Sequence, residues 1–152
     1  MEDYVRSQTL HHRMGDDCVQ QRLDEMQIHN PDIDLSAVRR SSHGQFVVNL
    51  HLVFVHQDRS SEVRQEPLRA LYDMLQRASA RHGHLLSDVG ILSDHVHLAL
   101  GCDVNESPLD VALGYLNNLA YAQGMKPVYQ YGGYLGTFGD YDLGVIRNAV
   151  GK

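Results

Sequence analysis

Phe46, Val48, Leu50, Leu52 and Phe54 recur at every second residue, which predicts a strand over 46–55 with one apolar face. Asn49 and His51 fall on the other face, which looks either to solvent or into a site. The period then lengthens. Leu68, Leu71, Leu75 and Ala78 lie on one helical stripe behind Pro67, with Gly83 as the stop. Leu85 to Ile91 reads as a second strand, and Leu92-Ser93-Asp94 is short enough to predict an antiparallel hairpin into a third over 95–101. Ser107-Pro108-Leu109-Asp110 marks a helix start, with Ser as the cap and Pro in the first turn. Leu109, Ala112, Leu113, Leu116 and Ala120 form the expected core stripe of that helix, and Gly124 ends it. Within 131–138, Tyr134-Leu135-Gly136-Thr137-Phe138 reads as a glycine-punctuated strand, followed by a short helix from Asp142 to Val150.

Strand, helix, strand, strand, helix, strand is the order of two split βαβ units. It predicts an α+β fold, a ferredoxin-like βαββαβ antiparallel sheet with both helices on one face and a C-terminal helix added. The other face is left for ligands or a partner. Residues 1–43 read as a partly helical N-terminal extension and 44–152 as the main domain. In the extension, Asp16 caps a helix that carries Val19, Leu23 and Met26 and ends near Asn30-Pro31. Arg39-Arg40-Ser41-Ser42-His43-Gly44 is a basic joint between the two.

The most informative stretch is Ser93-Asp94-His95-Val96-His97-Leu98-Ala99-Leu100. Strand side chains alternate, so His95 and His97 share one face while Val96, Leu98 and Leu100 point into a core. Two imidazoles side by side on an exposed strand face make half of a metal site; equally, they could be polar residues on the wet side of an amphipathic strand. His11-His12-Arg13 has the chemistry of a metal or phosphate contact, but a solvated tail explains it as well.

Composition narrows the choice. At 43% hydrophobic and 21% charged residues the chain is ordinary for a globular protein. No apolar run reaches the roughly 18 residues that span a bilayer, and the N-terminus lacks a basic segment followed by an apolar one. Cys18 and Cys102 lack any CxxC context, which predicts reduced thiols and a cytoplasmic protein. A net charge of −6 argues against strong non-specific nucleic-acid binding while leaving room for a local basic patch.

Leu52-Val53-Phe54-Val55, Ser93-Asp94-His95-Val96-His97-Leu98, and Gly133-Tyr134-Leu135-Gly136-Thr137-Phe138-Gly139 before Val145-Ile146-Arg147-Asn148 resemble, in order and spacing, the single-tyrosine HUH transposases. These are the small insertion-sequence transposases and the REP-associated tyrosine transposases. The resemblance implies DNA transposition, with cleavage and rejoining of single-stranded DNA beside hairpins. It implies Mg²⁺ or Mn²⁺ held by His95 and His97, a tyrosine that forms a 5′-phosphotyrosine, and a homodimer. It also places a third ligand, commonly glutamine, one turn past the tyrosine. Here the tyrosine position holds Ala149, and one turn further is position 153, past Lys152. Alanine cannot attack phosphorus, so the chain is expected to bind hairpin DNA but to cleave it poorly or not at all. Tyr141 is the fallback nucleophile; Tyr115, Tyr121, Tyr131 and Tyr134 are further candidates. Arg39, Arg40 and Lys126 are the candidate DNA contacts. The alternatives are a non-catalytic DNA-binding or regulatory protein derived from a transposase, and a ferredoxin-like interaction module.

Overall fold

The computed structural model describes residues 2–6, 16–41, 44–57, 61–124 and 133–138. In chain order these form α1 (Glu2–Arg6), α2 (Asp17–Glu25), β1 (Ile28–His29), β2 (Arg39–Ser41), β3 (Gly44–Phe46), β4 (Asn49–Val55), α3 (Gln65–His82), β5 (Leu85–Ile91), β6 (His95–Gly101), α4 (Pro108–Ala122) and β7 (Tyr134–Thr137). The expected C-terminal helix lies outside the described residues, as do Lys126, Tyr131, Tyr141 and Ala149.

The five-stranded sheet runs β1-β5-β6-β4-β7, and every pairing is antiparallel. Without β1 this is the strand order of two interleaved βαβ units, as the sequence predicts. Leu50, Leu52 and Phe54 of β4 pair with Leu100, Leu98 and Val96 of β6. Partners share a face, so these six side chains form an apolar floor on which α3 and α4 sit. Leu68, Leu71, Leu75 and Ala78 cover it from α3, matching the expected stripe. Gly83 ends that helix in the left-handed region (φ 68°), where an L side chain would be strained.

Three sequence expectations change. The strand expected over 46–55 is two pieces. Strand pairing breaks after Phe46 and resumes at Asn49, with the Val48 carbonyl accepting instead from the Cys102 N–H (3.0 Å) and the Arg39 guanidinium (3.0 Å). Helix α4 is rotated from its expected stripe: Val111, Ala112, Tyr115 and Leu119 are buried, while Leu109 and Leu113 are exposed. The helix is apolar nearly all round, so periodicity alone did not select a face.

The third change concerns the other side of the sheet, which is not bare. Val5 of α1 is fully buried there with Leu35, Ala99 and Phe138. A bulge at Ser87 arranges this. Leu86 pairs with Leu100, but Asp88, two residues on, pairs with Ala99, so Asp88 turns away from the helices toward α1. The segment expected as an extension also contributes to the core on the helix side: Leu23, Met26 and Ile28 join it, and β1 extends the sheet beside β5. Among the described residues no helix is long and apolar enough to cross a membrane.

Candidate metal and nucleic-acid site

His95 and His97 share the sheet face opposite α3 and α4, as alternation requires. The surface is not wet, however. His95 is 5% exposed and His97 is 6% exposed, which corrects the expectation of an open strand face. Their ring centroids are 4.8 Å apart at 71°. Pairing sets Val53 opposite His97 and Val55 opposite His95, so His51, two residues back along β4, is a diagonal neighbour of His97. The His51 and His97 rings stack at 5.4 Å and 17°, and His51 Nε2 stands 3.2 Å from His97 Nδ1.

Asp94 holds the other imidazole. Its Oδ1 lies 2.6 Å from His95 Nδ1, and its carbonyl accepts the His56 N–H at 2.8 Å. The turn that carries it is closed by Leu92 N–H to the His95 carbonyl, 2.9 Å. Both histidines thus engage Nδ1, so a metal would take Nε2 from each, in the usual arrangement of a ligating imidazole. Among the described residues no set of three His, Cys, Asp or Glu groups is arranged to hold a metal. The pair therefore fits as two donors of an open site and not as a closed one.

Sequence reasoning missed α1. Tyr4 meets His97 edge-on at 5.6 Å and His51 at 6.1 Å. The helix is held by an Arg6 Nε bond to Asp88 Oδ1 (3.1 Å) and by Ser87 Oγ donating to Glu2 Oε2 (2.6 Å). Nothing in residues 1–6 read alone signals this, because the anchors lie more than eighty residues away. Tyr134 approaches His51 from β7 at 5.3 Å.

The remaining candidates scatter. Arg39 is half-buried, bonds the Val48 carbonyl and lies 5.0 Å over the Phe46 ring. It sits near Gly101, six residues up β6 from His95 and so about 20 Å away along the strand. Arg40 is exposed on β2. Asn49 donates to the Leu35 carbonyl at 2.8 Å, a structural bond. Of the tyrosines, Tyr115 is buried on the opposite side of the sheet, its hydroxyl 2.8 Å from His84 Nδ1, and burial raises its pKa well above the usual phenol value. Tyr121 is exposed on α4. Neither reaches the histidine face; Tyr134 does.

Residues 45–119 match the family described as IS200-like transposases. Over this stretch, just under half of its length, the chain is related to the IS200-like transposases. The matched region runs from β3 into α4 and contains both histidines. Two solved structures share the fold of this transposase relative. A proposed transposase from Deinococcus radiodurans R1 superposes with a TM-score of 0.58 at 17% identity, covering 74% of this chain and 96% of the other. A REP-associated tyrosine transposase bound to a REP hairpin gives 0.52 at 14% identity, covering 68% and 67%. Comparison with curated proteins gave no match.

Proposed function

We propose that this chain binds hairpin-bearing single-stranded DNA at the face carrying His95 and His97, with Mn²⁺ or Mg²⁺ held by the two Nε2 atoms. The observation that carries the reading is the pairing of the two imidazoles, each with Nδ1 engaged by a neighbour, within a stretch of IS200-like transposase sequence. The hairpin seen with the REP-associated relative supports the DNA class. When bound, the ion would polarise a DNA phosphate and offset its charge; imidazole donors favour Mn²⁺ over Mg²⁺.

The residues themselves do the positioning. Asp94 fixes the His95 ring from a turn that is itself hydrogen-bonded. Tyr4 packs edge-on against His97, and Tyr134 packs against the neighbouring His51. Arg40 is an exposed cation on the separate β2–β3 ribbon, away from the histidine pair. Ala149, at the position where the resemblance places an attacking tyrosine, has only a methyl group, so this chain binds without cleaving through that residue. The family resemblance also supports a homodimer, which light scattering would test.

The test is fluorescence anisotropy with labelled hairpin DNA. Wild type should bind more tightly with Mn²⁺ than with chelator. His95→Ala with His97→Ala should lose that difference. Hairpin affinity that ignores both metal and histidines would sink the reading and leave a transposase-derived DNA-binding protein that uses another face.

A further inference from the structure

Burial of a third histidine beside the pair calls for an explanation. His51 is 6% exposed, on a strand whose other polar residue, Asn49, is spent on a loop carbonyl. It stacks on His97 and brings Nε2 to 3.2 Å from His97 Nδ1. Its own Nδ1 is buried with no hydrogen-bond partner among the described residues. A core imidazole kept only for packing would be replaceable by an apolar ring, without the cost of burying polar nitrogens.

We propose that His51 is a positioning residue for His97: it accepts the His97 Nδ1 proton and so aims His97 Nε2 at the metal, as Asp94 does for His95. The inference rests on the reading of His95 and His97 as metal ligands. Its logic is tautomeric. An imidazole that coordinates through Nε2 must carry its proton on Nδ1, and that proton needs an acceptor. In β6 the acceptors differ: a carboxylate for His95, a neutral imidazole for His97. The second pair has two proton arrangements. With His51 donating, His97 carries its proton on Nε2 and cannot ligate. With His97 donating, its Nε2 carries a lone pair in place of a proton, and the His51 proton sits on its buried Nδ1. Metal binding selects the second arrangement.

No family pattern stated above includes His51. The side chain is a feature of this chain's β4, placed by the diagonal register to His97.

The experiment is Mn²⁺ titration followed by electron paramagnetic resonance, on wild type, His51→Phe and His51→Gln, with melting temperatures alongside. Phenylalanine keeps a ring in the stack but removes the acceptor; glutamine restores an acceptor. The expected result is a loss of about 10- to 100-fold in Mn²⁺ affinity for His51→Phe, with substantial recovery in His51→Gln. Nitrogen-15 NMR of the Mg²⁺-loaded protein should find His97 in the Nδ1–H tautomer in wild type. Equal Mn²⁺ affinity in wild type and His51→Phe overturns this inference while leaving His95 and His97 as ligands. No Mn²⁺ binding by wild type overturns the inference together with the reading beneath it. If His51→Phe fails to fold, the wild-type tautomer decides: a proton on His97 Nε2 in the loaded protein overturns the assignment.

Discussion

Arg6 reaches across 82 residues of sequence to place its Nε 3.1 Å from Asp88 Oδ1, a carboxylate with no exposed side-chain surface. Two other groups stand by that carboxylate, His29 Nδ1 at 2.7 Å and Ser87 Oγ at 2.8 Å, although the one Ser87 proton serves either Asp88 or Glu2 at a time. The contact raises the Arg6 pKa, through the hydrogen bond first and the charge of Asp88 after it. Asp88 can be buried because three groups surround it, and one of the three brings α1 onto the histidine face.

Arg6→Ala should therefore loosen α1 without unfolding the sheet. Arg6 is nearly half exposed, and Asp88 keeps His29 and a share of the Ser87 hydroxyl, so the cost falls below that of breaking a fully buried pair: about 1–2 kcal/mol, or a few degrees in melting temperature. The same variant should exchange backbone hydrogens faster along β6 at His95 and His97, because Val5 and Tyr4 are held by the same short helix. Unchanged exchange there would mean that α1 does not protect the pair.

The sheet was largely legible in the sequence because its signals are local. Alternation in β4 and β6, the Leu92-Ser93-Asp94 turn, and the Ser107-Pro108 helix start each specify structure within a few residues. Asn49 and His51 could be placed on the histidine face for the same reason. What escaped depends on contacts distant in sequence. The bulge at Ser87 reverses the expected face of Asp88, and alternation carries no trace of it. The burial of His97 follows partly from Tyr4, whose helix is too short to announce itself. The α4 face was ambiguous because Leu109 and Leu113 read as core as readily as Val111 and Leu119 do. The expectation of a nucleophile at position 149 came only from the resemblance, and that residue lies outside the described ones.

Glu106 links stability to pH. Burial acts to raise its pKa, but the bonds from His84 and from the Asp103 N–H outweigh that and hold it below its ordinary value. A carboxylate lowered on folding stabilises above its unfolded pKa, and the benefit is lost as pH falls through the folded value. Wild type should thus lose more stability between pH 5 and pH 3 than Glu106→Gln, by about 1 kcal/mol or less for this partly exposed group. Parallel acid-denaturation curves for the two proteins would contradict this.

Tyr115 tests the other end of that network. Its hydroxyl meets His84 Nδ1 at 2.8 Å, and His84 Nε2 meets Glu106 at 2.8 Å. Tyr115→Phe should cost about 1–2 kcal/mol in urea unfolding by leaving a buried imidazole nitrogen unpartnered. It should leave hairpin binding intact, since Tyr115 lies across the sheet from the histidines. Lost DNA binding at unchanged stability would place the site on the helix side.

Ala149→Tyr supplies a hydroxyl where the resemblance expects one. Combined with a glutamine added one turn further on, and with Mn²⁺ and labelled hairpin DNA, the variant should yield a covalent adduct on a denaturing gel that His95→Ala abolishes. Identical lanes for variant and wild type would detach residue 149 from the chemistry.

The most direct measurement pairs a native and a denaturing gel of wild-type protein with single-stranded hairpin DNA and Mn²⁺. The account predicts a shifted band on the native gel, lost in the His95→Ala, His97→Ala double variant, and no adduct on the denaturing gel. A covalent adduct in wild type would contradict the assignment of a binding-only protein and turn attention to Tyr4 and Tyr134 at the histidines. No shift across a varied panel of hairpins would contradict the DNA-binding claim itself.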